Sequence, residues 1–90
     1  MDRVALIRER LSAALAPVHL EIIDDSHRHA GHAGARGGGG HFTVMIVSAR
    51  FADQKPLERH RLVYQAVADL MPTQIHALSI NALAPSELAK

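Results

Sequence analysis

Residues 26–40 read Ser-His-Arg-His-Ala-Gly-His-Ala-Gly-Ala-Arg-Gly-Gly-Gly-Gly and hold all six glycines of the chain. The stretch contains no apolar residue larger than alanine, so it has nothing to bury. A core must form from the segments on either side of it, and the stretch can only connect them. It is longer than an ordinary hairpin connection, and loops of that length are functional or disordered. The expectation is a single domain over residues 1–90 with a flexible Gly/His-rich loop at 26–40.

Ninety residues lie near the small end of what folds without disulfides or metal. With 48% hydrophobic residues the area for a modest core is present, but Phe42, Phe51 and Tyr64 are the only aromatics. The core must therefore be aliphatic. No cysteine occurs, which excludes a disulfide framework and thiolate chemistry from this chain and is consistent with a reducing compartment. The first ten residues interleave charges with apolar side chains, unlike a secretory leader. No apolar run approaches the ~20 residues of a membrane span. These features lead to the expectation of a cytoplasmic protein without a membrane partner. The formal net charge of +1 neither demands nor excludes nucleic acid.

Val4, Ile7, Leu11 and Leu15 recur at helical spacing and predict an amphipathic helix from Asp2 to Ala16, closed by Pro17. Val18–Asp25 alternates Leu20 and Ile22 with His19 and Glu21, which predicts a strand. After the loop, His41–Ser48 puts Phe42, Val44 and Ile46 on one face and Thr43, Met45 and Val47 on the other. Two apolar faces suit a central strand or one covered on both sides. Pro56 opens a second helix whose stripe is read as Leu57, His60, Tyr64, Val67 and Met71, with Val63 and Leu70 alongside. It ends at Met71, before Pro72. Gln74–Leu83 predicts a third strand with His76, Leu78 and Ile80 on one face, and Pro85–Lys90 a short final helix. The order is α-β-β-α-β-α. The second and third strands flank one helix, so they are expected to run parallel by a right-handed crossover, giving a mixed three-stranded sheet of the α+β class.

Seven histidines in a chain without cysteine carry most of the possible site chemistry. Imidazole is the commonest metal-ligating side chain and changes charge near neutral pH. His27, His29, His32 and His41 lie in or beside the glycine-rich stretch. His27-x-His29-x-x-His32 lacks the spacing of a closed structural zinc site, and a solvated loop is the plainer reading of these residues alone. His41, at a strand start, reads as structural or as a loop anchor. His60, on the helical stripe, reads as a packed structural histidine satisfied by one hydrogen bond.

Leu20-Glu-Ile-Ile-Asp-Asp-Ser26, His41-Phe-Thr-Val-Met-Ile-Val-Ser-Ala-Arg-Phe51, Pro56-Leu-Glu-Arg-His-Arg-Leu-Val-Tyr64 and Ile75-His-Ala-Leu-Ser-Ile80 together resemble the BolA family over nearly the whole chain. The resemblance implies a fold like the type II KH domain. It also implies a partnership with a monothiol glutaredoxin, in which a 2Fe–2S cluster is held by a glutaredoxin cysteine, glutathione and ligands from the BolA-like chain. Those ligands correspond to His76 and a loop histidine. Alignment on Ser26 puts the loop position at His29, with His27 and His32 close by. No cluster is then expected on the chain alone, and the free protein is expected as a monomer or weak homodimer. The chemistry is consistent, since imidazole replaces thiolate in some iron–sulfur centres. Asp24 and Asp25, at the loop root, could hold the second nitrogen of a ligating histidine.

DNA is the alternative partner. Arg50, Lys55, Arg59 and Arg61 form the basic part of the chain, and such residues near a helix start favour phosphate. The Gly-x-x-Gly loop that KH domains place between two helices does not occur in that position, and few aromatics are present for base stacking. An enzyme is not expected. There is no cysteine nucleophile, no Gly-x-Ser-x-Gly and no Walker-type loop, and Asp24 and Asp25 would point to opposite faces of a strand.

Overall fold

The computed structural model describes residues 2–25, 40–71 and 73–88. Its elements are α1 (Arg3–Leu15), β1 (His19–Asp24), β2 (Gly40–Val47), α2 (Pro56–Ala66), β3 (Ile75–Leu83) and α3 (Pro85–Leu88), with 3-10 turns at Ala49–Phe51 and Ala68–Leu70. This is the expected α-β-β-α-β-α order. The glycine-rich stretch at 26–39 lies outside the described residues.

Helix α1 starts where Asp2 accepts a hydrogen bond from the Ala5 N–H at 2.7 Å, satisfying a donor that the first turn leaves orphaned. It ends with Ala16 in the left-handed region (φ 43°), where the Ala16 N–H closes on the Ser12 carbonyl, and Pro17 prevents continuation. Ile7, Leu11 and Leu15 are buried, as their spacing predicts.

β2 is the central strand of a sheet ordered β1-β2-β3. It pairs antiparallel with β1, from His19 opposite Val47 to Asp24 opposite Phe42, and parallel with β3. Phe42, Val44 and Ile46 are buried with the inner residues of α1 and α2, whereas Thr43 and Met45 are half-buried. The helices thus cover the Phe42 face. β1 follows its expected alternation, with Leu20 and Ile22 packed on the core and His19 and Glu21 exposed.

Helix α2 departs from the expected stripe. It stops at Ala66, and the chain continues through the 3-10 turn to Leu70. Val63, Val67 and Leu70 are buried, but Leu57 is 61% exposed and His60 is exposed as well. Counting back four residues from Val63 reaches Arg59, so Arg59 rather than His60 takes the inner position at the start of the helix. The reading of His60 as a packed core histidine is therefore corrected.

Where β2 and β3 end, the sheet is fastened by buried polar contacts. Ser48 is fully buried; its hydroxyl donates to the Leu15 carbonyl at 2.6 Å and accepts from the Arg50 N–H. This bond satisfies one of the carbonyls left over at the end of α1. Arg59 forms two hydrogen bonds to the Glu87 carboxylate, at 2.6 and 2.9 Å, and a third to the Ala82 carbonyl. Glu87 in turn accepts from the Ala84 N–H, which ties α3 to the end of β3.

Candidate functional site

The opposite end of the sheet carries the candidate site. Its construction begins at Gln74, just before β3. The Gln74 N–H donates to the Leu70 carbonyl, its carbonyl accepts from the Gly40 N–H, and its side chain accepts from Arg3 Nε at 3.3 Å. The Gly40 bond sets the first residues of β2 and β3 side by side, and the other two fasten Gln74 to Leu70 and to α1. On the other flank, the Asp25 N–H donates to the His41 carbonyl at 2.7 Å, and Thr43 Oγ1 donates to Asp25 Oδ2 at 2.6 Å. Both roots of the glycine-rich stretch, Asp25 and Gly40, are thereby fixed next to β2.

The pairing of β2 with β3 slips by one residue at this point. Gly40 lies opposite Ile75, but His41 lies opposite Ala77, so His76 is the residue left over. An extra residue of this kind breaks the in–out alternation and re-aims a side chain, a device common beside functional sites. Burial records the slip: Ile75 and Leu78 are both buried although three residues apart, and His76 between them is exposed. The expectation that His76 shares a face with Leu78 and Ile80 is corrected accordingly. Leu78 and Ile80 pack on the core, while His76 is released to the surface.

The slip also brings His76 against His41. Their ring centroids are 5.3 Å apart, with the planes inclined at 40°. His41 is half-buried at the second position of β2. Sequence reasoning assigned His41 a structural place and did not pair it with His76, because 35 residues and an unpredicted register separate the two. Gln74, Arg3 and Thr43 were missed as well, since only strand pairing gives them their roles. His27, His29 and His32 lie outside the described residues. Asp25 has one carboxylate oxygen engaged by Thr43, whereas Asp24 is exposed and lines an open cleft with Asp2, Arg3, Arg8 and Gln74.

At this end of the sheet the described imidazoles that stand together are those of His41 and His76. Among the described residues, no group of three or more His, Cys, Asp or Glu side chains could enclose an ion. With no cysteine in the chain, any thiolate of an iron–sulfur centre must come from another molecule.

The basic residues do not form one face. Arg50 and Arg61 line a shallow groove with Gln54, Glu58 and Gln65. The Arg59 side chain is only 12% exposed and is held by Glu87. That hydrogen bond, together with the attraction of the carboxylate, raises the Arg59 pKa above its ordinary value against the opposing effect of burial, so the guanidinium stays charged and engaged. Lys55 is exposed at the start of α2. Among the described residues no helix is long and apolar enough to cross a membrane.

The family model for BolA-like proteins matches residues 11–87. The chain belongs to the BolA family. It is 45% identical over 87 residues to "SufE-like protein 1, chloroplastic/mitochondrial" of Arabidopsis thaliana, a match covering 91% of this chain but only 24% of that protein. It is 43% identical over 75 residues to "DNA-binding transcriptional regulator BolA" of Escherichia coli strain K12, covering 83% of this chain and 69% of the relative. Among solved structures, the BolA domain of SufE1 from Arabidopsis thaliana superimposes with a TM-score of 0.83 at 42% identity, covering 97% of this chain and 96% of that one. The chain thus spans about a quarter of the length of the first of these relatives. The expectation of a cytoplasmic protein is overturned by the plant relatives, whose names place them in chloroplasts or mitochondria. Charge interleaving at the N-terminus and missing cysteines are weak guides to compartment, because neither is read by a sorting receptor.

Proposed function

We propose that this BolA-like protein is a non-catalytic adaptor that pairs with a monothiol glutaredoxin to hold or pass on a 2Fe–2S cluster in iron–sulfur maturation or iron regulation. The observation that carries the reading is His76. It is the bulged, exposed residue at the start of β3, next to the strand pair of Gly40 and Ile75 where the glycine-rich stretch enters β2. In this reading His76 and His29 are the two ligands from this chain, with His27 and His32 as neighbours able to take the loop position. The cluster is cargo. Thiolate comes from the glutaredoxin and from glutathione, and the chain alone binds no cluster.

The test is titration of the protein into cluster-loaded monothiol glutaredoxin with glutathione, followed by visible absorption and circular dichroism. The wild type should change the spectrum, His76→Ala should abolish the change, and His29→Ala should weaken it. An unchanged spectrum with the wild type would sink the proposal.

A second reading, as a DNA-binding regulator with a KH-like fold, is favoured by the name of the Escherichia coli relative and by the groove between Arg50 and Arg61. In that reading Arg50, Lys55 and Arg61 contact phosphate, and Arg59 contributes indirectly by fixing α2 to α3. DNA affinity should then fall steeply with salt and with charge reversal at Arg50 and Arg61, and should be indifferent to His76→Ala.

A further inference from the structure

We propose that His41 and His76 together form an open two-imidazole seat for a single divalent cation of the zinc type, on the BolA-like chain alone and without a glutaredoxin. The argument begins with spacing. Zn–N bonds are about 2.0–2.1 Å, and with a near-tetrahedral angle at the metal, two imidazoles sharing one ion hold their ring centres roughly 5 Å apart. The observed separation is 5.3 Å, with the ring planes inclined at 40°.

The scaffold is the second element. His41 stands in the ladder opposite Ala77, and its carbonyl is fixed by the Asp25 N–H. His76 follows Ile75, which is fully buried, and Gln74, which is held by Leu70, Gly40 and Arg3. Both imidazoles are therefore presented from strands with anchored backbones, the platform that precise ligation requires. Each needs only one ring nitrogen for metal, which leaves the other for the acceptor that normally orients a ligating histidine.

The third element is access. His76 is exposed, and no third His, Cys, Asp or Glu among the described residues closes the group. The remaining coordination positions, one more than an open catalytic zinc site leaves, would be filled by water or an incoming donor. Imidazole suits Zn²⁺, Cu²⁺ and Ni²⁺ and discriminates against Mg²⁺ and Ca²⁺, which prefer oxygen. The inference does not depend on the cluster reading. It gives His41 a ligand role that the cluster reading does not use, and a zinc ion seated here would occupy His76 and compete with cluster sharing.

The experiment is calorimetric titration of Zn²⁺ into the full chain, without glutaredoxin or glutathione, for the wild type, His41→Gln, His76→Gln and a loop variant with His27, His29 and His32 all changed to Gln. The expected result is one Zn²⁺ per wild-type chain, weakened about tenfold or more by either strand variant and kept by the loop variant. Long-range proton–nitrogen spectra of the wild-type imidazoles give a readout that does not depend on how the variants fold. The ring nitrogens of His41 and His76 should move first as Zn²⁺ is added, and Mg²⁺ should move neither. Undiminished binding in either strand variant, or first movement at the loop imidazoles, would overturn the proposal. Because no glutaredoxin is present, that failure is distinct from a failure of the cluster reading.

Discussion

The two ends of the sheet are built to opposite rules. Where β2 and β3 finish, polar groups turn inward: Ser48 is fully buried against Leu15, and Arg59 is clasped by Glu87 and Ala82. Where β2 and β3 begin, backbone bonds from Asp25, Gly40 and Gln74 hold the frame, and a slipped register turns His76 outward beside His41. At the first end, side-chain polarity serves stability. At the second, the backbone supplies rigidity, and a bulge turns the His76 imidazole to the surface beside that of His41. One small sheet can thus keep its stabilising polar contacts at one end, so that changing exposed His76 at the other need not unfold the domain.

Substitutions that probe each end can break this division. The largest effect is expected for Phe51→Ala at the finishing end. Phe51 is fully buried, and its truncation should cost about 3–5 kcal/mol, read from urea unfolding. Ser48→Ala comes next, at about 1–3 kcal/mol, because it leaves the Leu15 carbonyl buried without its donor. A negligible change in unfolding midpoint would show that the inward contact at this end is incidental. Arg59→Met keeps much of the side-chain volume but removes the clasp on Glu87, and thermal unfolding should shift down by about 5 °C. The same variant should leave the spectrum of a glutaredoxin mixture as it is for the wild type. Last, His76→Gln should alter stability by no more than about 0.5 kcal/mol, since the side chain is exposed and lies outside the core. A loss of several kcal/mol there would mean that the starting end also carries stability, and the contrast between the two ends would collapse.

Much of this was legible from residues alone, and the reason is locality. Ile7, Leu11 and Leu15 are buried at the spacing that predicts α1, and the alternation of Phe42, Val44 and Ile46 marks the covered face of β2. Periodicity of this kind depends on a residue and its near neighbours. The candidate ligand His76 was reached through family resemblance, because a single histidine among apolar residues carries no mark of its own. Its placement with Leu78 and Ile80 was wrong, because period-2 counting assumes an unbroken ladder. His60 was misplaced for a related reason: α2 offers Leu57, His60 and Tyr64 as one stripe and Arg59, Val63 and Val67 as another. The choice fell to Glu87, a residue 28 positions from Arg59 that gives its guanidinium a partner at the inner position.

From the residues alone came the order of elements, by local pattern, the family, by resemblance of its motifs, and the need for any thiolate to come from a partner, by composition; the expectation of a purely aliphatic core is corrected, because Phe42 and Phe51 are its largest fully buried side chains. Folding in three dimensions set the slip of β3 against β2, the place of His76 beside His41 and the role of Arg59 in the scaffold. Register and side-chain partnership are properties of strands and helices far apart in the chain. They are selected by which arrangement buries Ile75, Leu78 and Val63 together, and no local stretch contains that information.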